Sequence, residues 1–162
     1  MNELMARLSA YDWGGDRGSL KDIDNLIVAA QGDPGKLSEL ELALLEVLQS
    51  ELRLPAKEYI CRQLALLGTA RCVPVLAGML TDPELSDRAR FALEAIPDAS
   101  VDDALRSALA NAEGVLRVGI VNTLGERRDA KAVPLLTELQ KSADGVLARA
   151  AAAALRKIAP PA

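Results

Sequence analysis

The stretch Leu124-Gly-Glu-Arg-Arg-Asp-Ala-Lys-Ala-Val-Pro-Leu-Leu136 has an earlier counterpart in the chain, Leu64-Ala-Leu-Leu-Gly-Thr-Ala-Arg-Cys-Val-Pro-Val-Leu76. Both begin on the last apolar residue of a helical pattern, pass through a short polar turn, and enter a second apolar pattern behind a proline. Between and beyond them the same leucine returns at Leu93 and Leu155, giving spacings of 29, 31 and 31. A fixed period of ~20–50 residues is the signature of a stacked repeat architecture. The register extends through each unit. Ile60, Ala89, Ile120 and Ala151 stand four residues before the leucines, and Ala56, Leu85, Leu116 and Leu147 eight before, an i, i+4, i+8 apolar stripe along one helix. Ten residues after the first three leucines stand Pro74, Asp103 and Pro134, and two further on Leu76, Leu105 and Leu136. Each repeat therefore reads as helix, short turn, second helix.

The punctuation agrees. Pro55 opens one helix, and Pro74 and Pro134 fall in the first turn of others, where a missing N–H costs nothing. Asp82, Asn111 and Ser142 follow the second helices at one equivalent position, where polar side chains turn the chain or cap the next helix. Residues 1–54 are helical too but fit the period poorly. There Ser19 with Asp22, and Ser38 with Glu41, pair an N-cap oxygen with an acidic first turn. The expected helices lie near 2–10, 19–31, 38–53, 56–67, 71–81, 85–95, 101–111, 115–125, 130–141 and 145–158, with no strand.

With those residues in view, the two quoted stretches resemble the HEAT-repeat consensus, in particular the bacterial variety also seen in phycobilisome-lyase-like repeats. The resemblance covers about residues 55–159. It implies an all-α, right-handed solenoid of antiparallel helix pairs, about ten helices in all, whose second helices line a concave face. Residues 1–54 then form an irregular N-terminal cap, continuous with repeats over 55–162 as a single domain. In that family a basic residue is frequent near the start of the first helix, as at Lys57 and Arg117 here, while Ser86 and Ala148 depart from it. Such modules mostly bind proteins and a minority are enzymes, so the resemblance implies a non-enzymatic interaction module or scaffold, with a lyase- or isomerase-like role on a small molecule as the alternative.

Composition narrows the chemistry. Of 162 residues half are apolar but only 2% aromatic, so the core is aliphatic. Histidine is absent, which removes Ser-His and Cys-His nucleophile pairs and His-containing metal sites. Cys61 and Cys72 are too few for a disulfide-stapled secreted fold or a zinc site of their own, and their repeat equivalents, Val101 and Ala132, are small core residues. The first eight residues carry Glu3 and Arg7 where a signal peptide needs an apolar run, and no segment has the ~18 apolar residues of a membrane span. A cytoplasmic chain with no membrane contact, no cofactor and no metal is the expectation. Net charge is −4, which disfavours general nucleic-acid affinity. The charge is uneven, however: ten acidic and five basic side chains in residues 1–55, against four and eight in residues 116–162. Nucleic-acid binding by the basic C-terminal part, through Arg127, Arg128 and Lys131, is the further alternative. Those turn arginines otherwise read as solvated charge.

Acidic groups at Asp82, Glu84, Asp87, Asp98, Asp102 and Asp103 fall in turns and first helical turns, where they cap helices or oppose the dipole. The loop Tyr11-Asp-Trp-Gly-Gly-Asp-Arg17 lacks the phosphate-binding pattern. Its Tyr11 and Trp13 are either a plug on the end of the stack or a partner anchor, since exposed aromatics concentrate binding energy. Helical counting places Ala77, Gly78, Thr81, Arg106, Ser107, Ala110, Thr137, Glu138 and Lys141 on the second-helix face. The candidate partner-binding residues are thus Arg106, Ser107, Thr137, Glu138 and Lys141, together with Tyr11 and Trp13, for a protein or peptide partner. The last helix, Leu147 to Leu155, is alanine-rich and precedes Pro160-Pro-Ala with no partner helix after it, so its outer side is expected to be open to a partner, to self-association with another copy of the chain, or to a natural continuation. Replacing the register leucine Leu124 with alanine is expected to cost about 2–5 kcal/mol by denaturant unfolding, whereas a surface leucine would cost under ~0.5 kcal/mol.

Overall fold

The computed structural model describes residues 2–159. Among them are ten α-helices and no strand, and no helix is long and apolar enough to cross a membrane. The chain divides into two compact units, one ending at Gly68 and one beginning at Thr69.

The first unit holds α1 (Asn2–Ser9), α2 (Gly18–Ala29), α3 (Pro34–Leu48) and α4 (Leu54–Leu67). Helix α1 packs on α2 and α3, and α3 on α4, around Leu8, Ile23, Leu44, Ile60 and Leu64, all without solvent exposure. Two expected helix starts move. Helix α3 begins at Pro34 rather than at residue 38, because Asp33 accepts the Lys36 N–H at 3.1 Å and proline supplies the first helical residue. Aspartate followed by proline is a stronger start than Ser38 one turn later. The same two Lys36 contacts, N–H and ammonium, hold the Asp33 carboxyl below its ordinary pKa. Ser19 is likewise no cap: it lies buried inside α2, and the Gly18 N–H donates to Asp16 Oδ1 at 3.0 Å instead.

The second unit holds α5 (Val73–Gly78), α6 (Ser86–Ala95), α7 (Ala99–Leu109), α8 (Gly114–Glu126), α9 (Val133–Leu139) and α10 (Gly145–Ile158), with single 3-10 turns at Ala70–Cys72 and Ala130–Ala132. The period is visible as burial. Leu93 and Leu124, Ala89, Ile120 and Ala151, and Leu76, Leu105 and Leu136 are all excluded from solvent, whereas Leu155, the last of the series, is only half-buried. Cys72, Val101 and Ala132 are buried at equivalent positions, as is Cys61 in the first unit. Caps follow the period as well: Thr69, Asp98 and Asp129 each accept the N–H two residues on, from Arg71, Ser100 and Lys131. The Ser100 hydroxyl and N–H together keep the Asp98 carboxyl below its usual range. At the other ends of the pairs Asp82 accepts the Glu84 and Leu85 N–H groups, and Asp144 those of Val146 and Leu147. Ser142 takes the chain-turning role of its two expected ones, accepting from the Asp144 N–H just before that cap.

Helices α6, α8 and α10 pack side by side, with α7 against α8 and α9 against α10. Two glycines of α8 set how closely. At Gly125 a Cβ would stand 2.7 Å from Ala154 Cα and 2.8 Å from its Cβ, so α8 and α10 touch backbone to backbone. At Gly119 a Cβ would stand 2.6 Å from the Arg90 guanidinium carbon. The Arg90 side chain crosses from α6 and donates to Gly119 O at 3.3 Å and to Asp87 Oδ1 at 2.7 Å. These two contacts differ in what can give way. Gly125→Ala is expected to destabilise by about 1–3 kcal/mol, since only a shift of a whole helix relieves the overlap. Gly119→Ala is expected to cost less, because a side chain can move and alanine regains up to ~1 kcal/mol of helix propensity. Urea unfolding of the two variants checks the order.

Candidate functional site

The aromatic loop is held by its own aspartate. Asp12 Oδ1 accepts the Trp13 N–H at 2.8 Å, and Asp12 Oδ2 accepts from Arg53, just ahead of α4, at 2.8 Å. The loop then turns through Gly14, whose φ of +76° suits a residue without a side chain, and the Gly15 N–H returns to Asp12 O at 3.0 Å. The result is a short loop tied at both ends. It leaves the Trp13 side chain 67% exposed.

Beside it lies a cleft of ≈ 440 Å³ walled by Tyr11, Trp13, Arg17, Glu58 and Arg62, with Leu20 and Pro55 among its lining. All of these belong to the first unit. Glu58 and Arg62 are one helical turn apart on α4, with 3.8 Å between their charged atoms. Behind the cleft, Tyr59 ties α4 to α2, its hydroxyl lying 2.9 Å from Leu20 O and 2.8 Å from Asp24 Oδ1, while Gln63 donates to the same carboxylate oxygen at 3.2 Å. Burial first, and then the hydrogen bond to Asp24 and that carboxylate's charge, push the Tyr59 hydroxyl far above its ordinary pKa. It stays neutral and positions the two helices. Tyr11 and Trp13 are thus brought together with three charged residues that sequence reasoning did not single out. Arg17 directly follows the loop and was within reach of a sequence argument. Glu58 and Arg62 were not, since only the packing of α4 brings them there.

The second-helix residues are arranged differently from expectation. Arg106 is not a solvated rim charge. Its side chain is 19% exposed and ion-paired to Asp103 on its own helix and to Asp129 in the turn after α8, the latter only 5% exposed. Ser107 and Thr137 hydroxyls donate to carbonyls of their own helices, Asp103 O and Val133 O, at 2.8 Å each. Glu138 and Lys141 form an exposed pair at 2.9 Å.

The turn arginines also divide. Arg128, at φ +56°, is exposed. Arg127 is not: its side chain is 10% exposed and paired with Asp102. Its NH1 donates to the carbonyls of Leu93, Glu94 and Ile96 at 3.1, 3.1 and 2.8 Å, and its NH2 to that of Asp98 at 3.0 Å. These carbonyls lie at and just beyond the C-terminus of α6, and those of Leu93, Ile96 and Asp98 also accept a backbone N–H, from Ile96, Asp98 and Val101, so the guanidinium takes second lone pairs. Among the described residues no three His, Cys, Asp or Glu side chains gather as metal ligands would.

Comparison with protein-family models, with curated proteins and with solved structures returned no match. The burial of the Arg106–Asp129 pair makes a direct prediction. Arg106→Glu is expected to lose more than about 2 kcal/mol of stability, because it leaves Asp129 buried opposite a like charge. Lys141→Glu is expected to stay within ~0.5 kcal/mol, and thermal melts of the two variants separate them.

Proposed function

We propose that this chain is a non-enzymatic protein-interaction module, built of antiparallel HEAT-like helix pairs in a right-handed solenoid, that takes its partner at the cleft beside Tyr11 and Trp13. The architecture is supported by the repeated register of buried leucines and by helix caps that recur with the same period. One observation carries the choice of surface: the chain's single tryptophan is held mostly exposed on a tied glycine turn, next to a tyrosine and two arginines. Trp, Tyr and Arg are the residue types in which interface energy concentrates. A rigid exposed anchor also loses little freedom on binding. The second-helix face carries less for this purpose, since its arginine and hydroxyls are already engaged within the fold.

The test is partner capture by the full chain and its variants. Trp13→Ala and Tyr11→Ala are expected to weaken capture of the natural partner by roughly tenfold or more with unchanged circular dichroism. Reversal of Glu138 and Lys141 is expected to leave capture intact. The opposite pattern would move the interface to the second-helix face.

A further inference from the structure

The charges around the cleft define what it accepts. Residues 1–55 carry twice as many acidic as basic side chains, yet the acids nearest the loop are already engaged, Asp12 by Arg53 and the Trp13 N–H, Asp16 by the Gly18 N–H. Two guanidinium groups, Arg17 and Arg62, line the cleft against one carboxylate, Glu58. Glu58 faces Arg62 across 3.8 Å and leaves that arginine's side chain 55% exposed. Arg17 has no ion pair among the described residues. Helix α2 also starts here: Arg17 and Leu20 flank its first turn, and Arg17 stands at the N-cap without a side-chain hydrogen bond to the helix. A helix start favours negative charge. Among the side chains that line the cleft the guanidinium groups outnumber the carboxylate, in an acidic part of the chain, and Trp13, Tyr11, Leu20 and Pro55 share the lining.

We infer that the occupant is a short acidic peptide segment, in which a proline or aromatic side chain sits next to glutamate or aspartate. The ring lies against Trp13, and the carboxylate is taken by Arg17 and Arg62, whose planar guanidinium groups match it in two-point geometry. The cleft's ≈ 440 Å³ falls in the ~300–1,000 Å³ range of sites that enclose a few groups of a ligand rather than a whole helix. This inference rests on the interaction reading above and adds the chemistry of the partner to it.

Trp13, as the only tryptophan, reports occupancy by its own fluorescence. The probe is the synthetic peptide Ser-Glu-Pro-Phe-Glu-Ser with blocked ends, titrated into the full chain beside its Gln-for-Glu counterpart and beside inorganic phosphate. A saturable change in Trp13 emission is expected with the acidic peptide, weakening as salt is raised. The Gln peptide is expected to bind roughly tenfold or more weakly. Arg17→Glu and Arg62→Glu are expected to lose binding to a similar degree, and Arg17→Lys to lose less, each with wild-type circular dichroism.

Equal binding of the two peptides overturns the acidic partner while leaving the cleft as an interaction site. So does silence of both peptides in a chain whose natural partner is still lost on Trp13→Ala. Phosphate that saturates the same signal and displaces the peptide overturns it in favour of a simple anion site. Natural-partner capture that survives Trp13→Ala counts against the cleft as the interaction site.

Discussion

The Arg127 guanidinium pins the end of α8 to the turn between α6 and α7. Helix α6 ends at Ala95 and the chain turns into α7, with the Leu93, Ile96 and Asp98 carbonyls each accepting one backbone N–H, from Ile96, Asp98 and Val101, and each keeping a second lone pair that can accept. Arg127, arriving from the end of α8, donates to four carbonyls of that end and turn and is neutralised by Asp102. A residue of one repeat is therefore tied to the backbone of the preceding one. Asp129, two residues on, caps its own turn and receives Arg106 from α7, so a second charged link crosses the same boundary. Both pairs are shielded enough that losing one partner leaves an isolated charge, which is why such links fix position more than they add net stability.

Those links set the spacing at which the glycines of α8 are needed. With α8 held against α6 and α7, Gly125 meets the backbone of Ala154 and Gly119 lies under Arg90. The apolar core between the helices is aliphatic and small, and close packing of small side chains tolerates little change in volume. Alanines and glycines along α8 and α10 are consequences of that approach.

The first unit is joined by different means and carries the candidate site. Tyr59, Gln63 and Asp24 connect α2 to α4, and Asp12 with Arg53 ties the loop to the start of α4. Each contact orients a wall of the cleft. The exposed tryptophan thus sits on a loop held by a framework of hydrogen bonds.

Helix number and the approximate place of every helix were legible in the sequence, because leucine spacing and proline position act locally: a 3.6-residue period and a missing N–H have the same meaning in any surroundings. The ends moved, α3 stopping at Leu48 rather than near 53 and α5 at Gly78 rather than near 81. The start of α3 was misread where two local signals competed and Asp33-Pro34 prevailed over Ser38. The aromatic loop was visible as Tyr11 and Trp13, two rings in a chain almost without them. Its charged partners were not, since Arg62 lies far along the chain and reaches the loop only when α4 packs beside it. Arg127 was read as a solvated charge, and Arg106 as a residue of the second-helix face available to a partner, for the same reason. Sequence places a charge on a helix face or in a turn, but whether water or a carboxylate meets it depends on which other segment arrives there, and that is decided by tertiary packing alone.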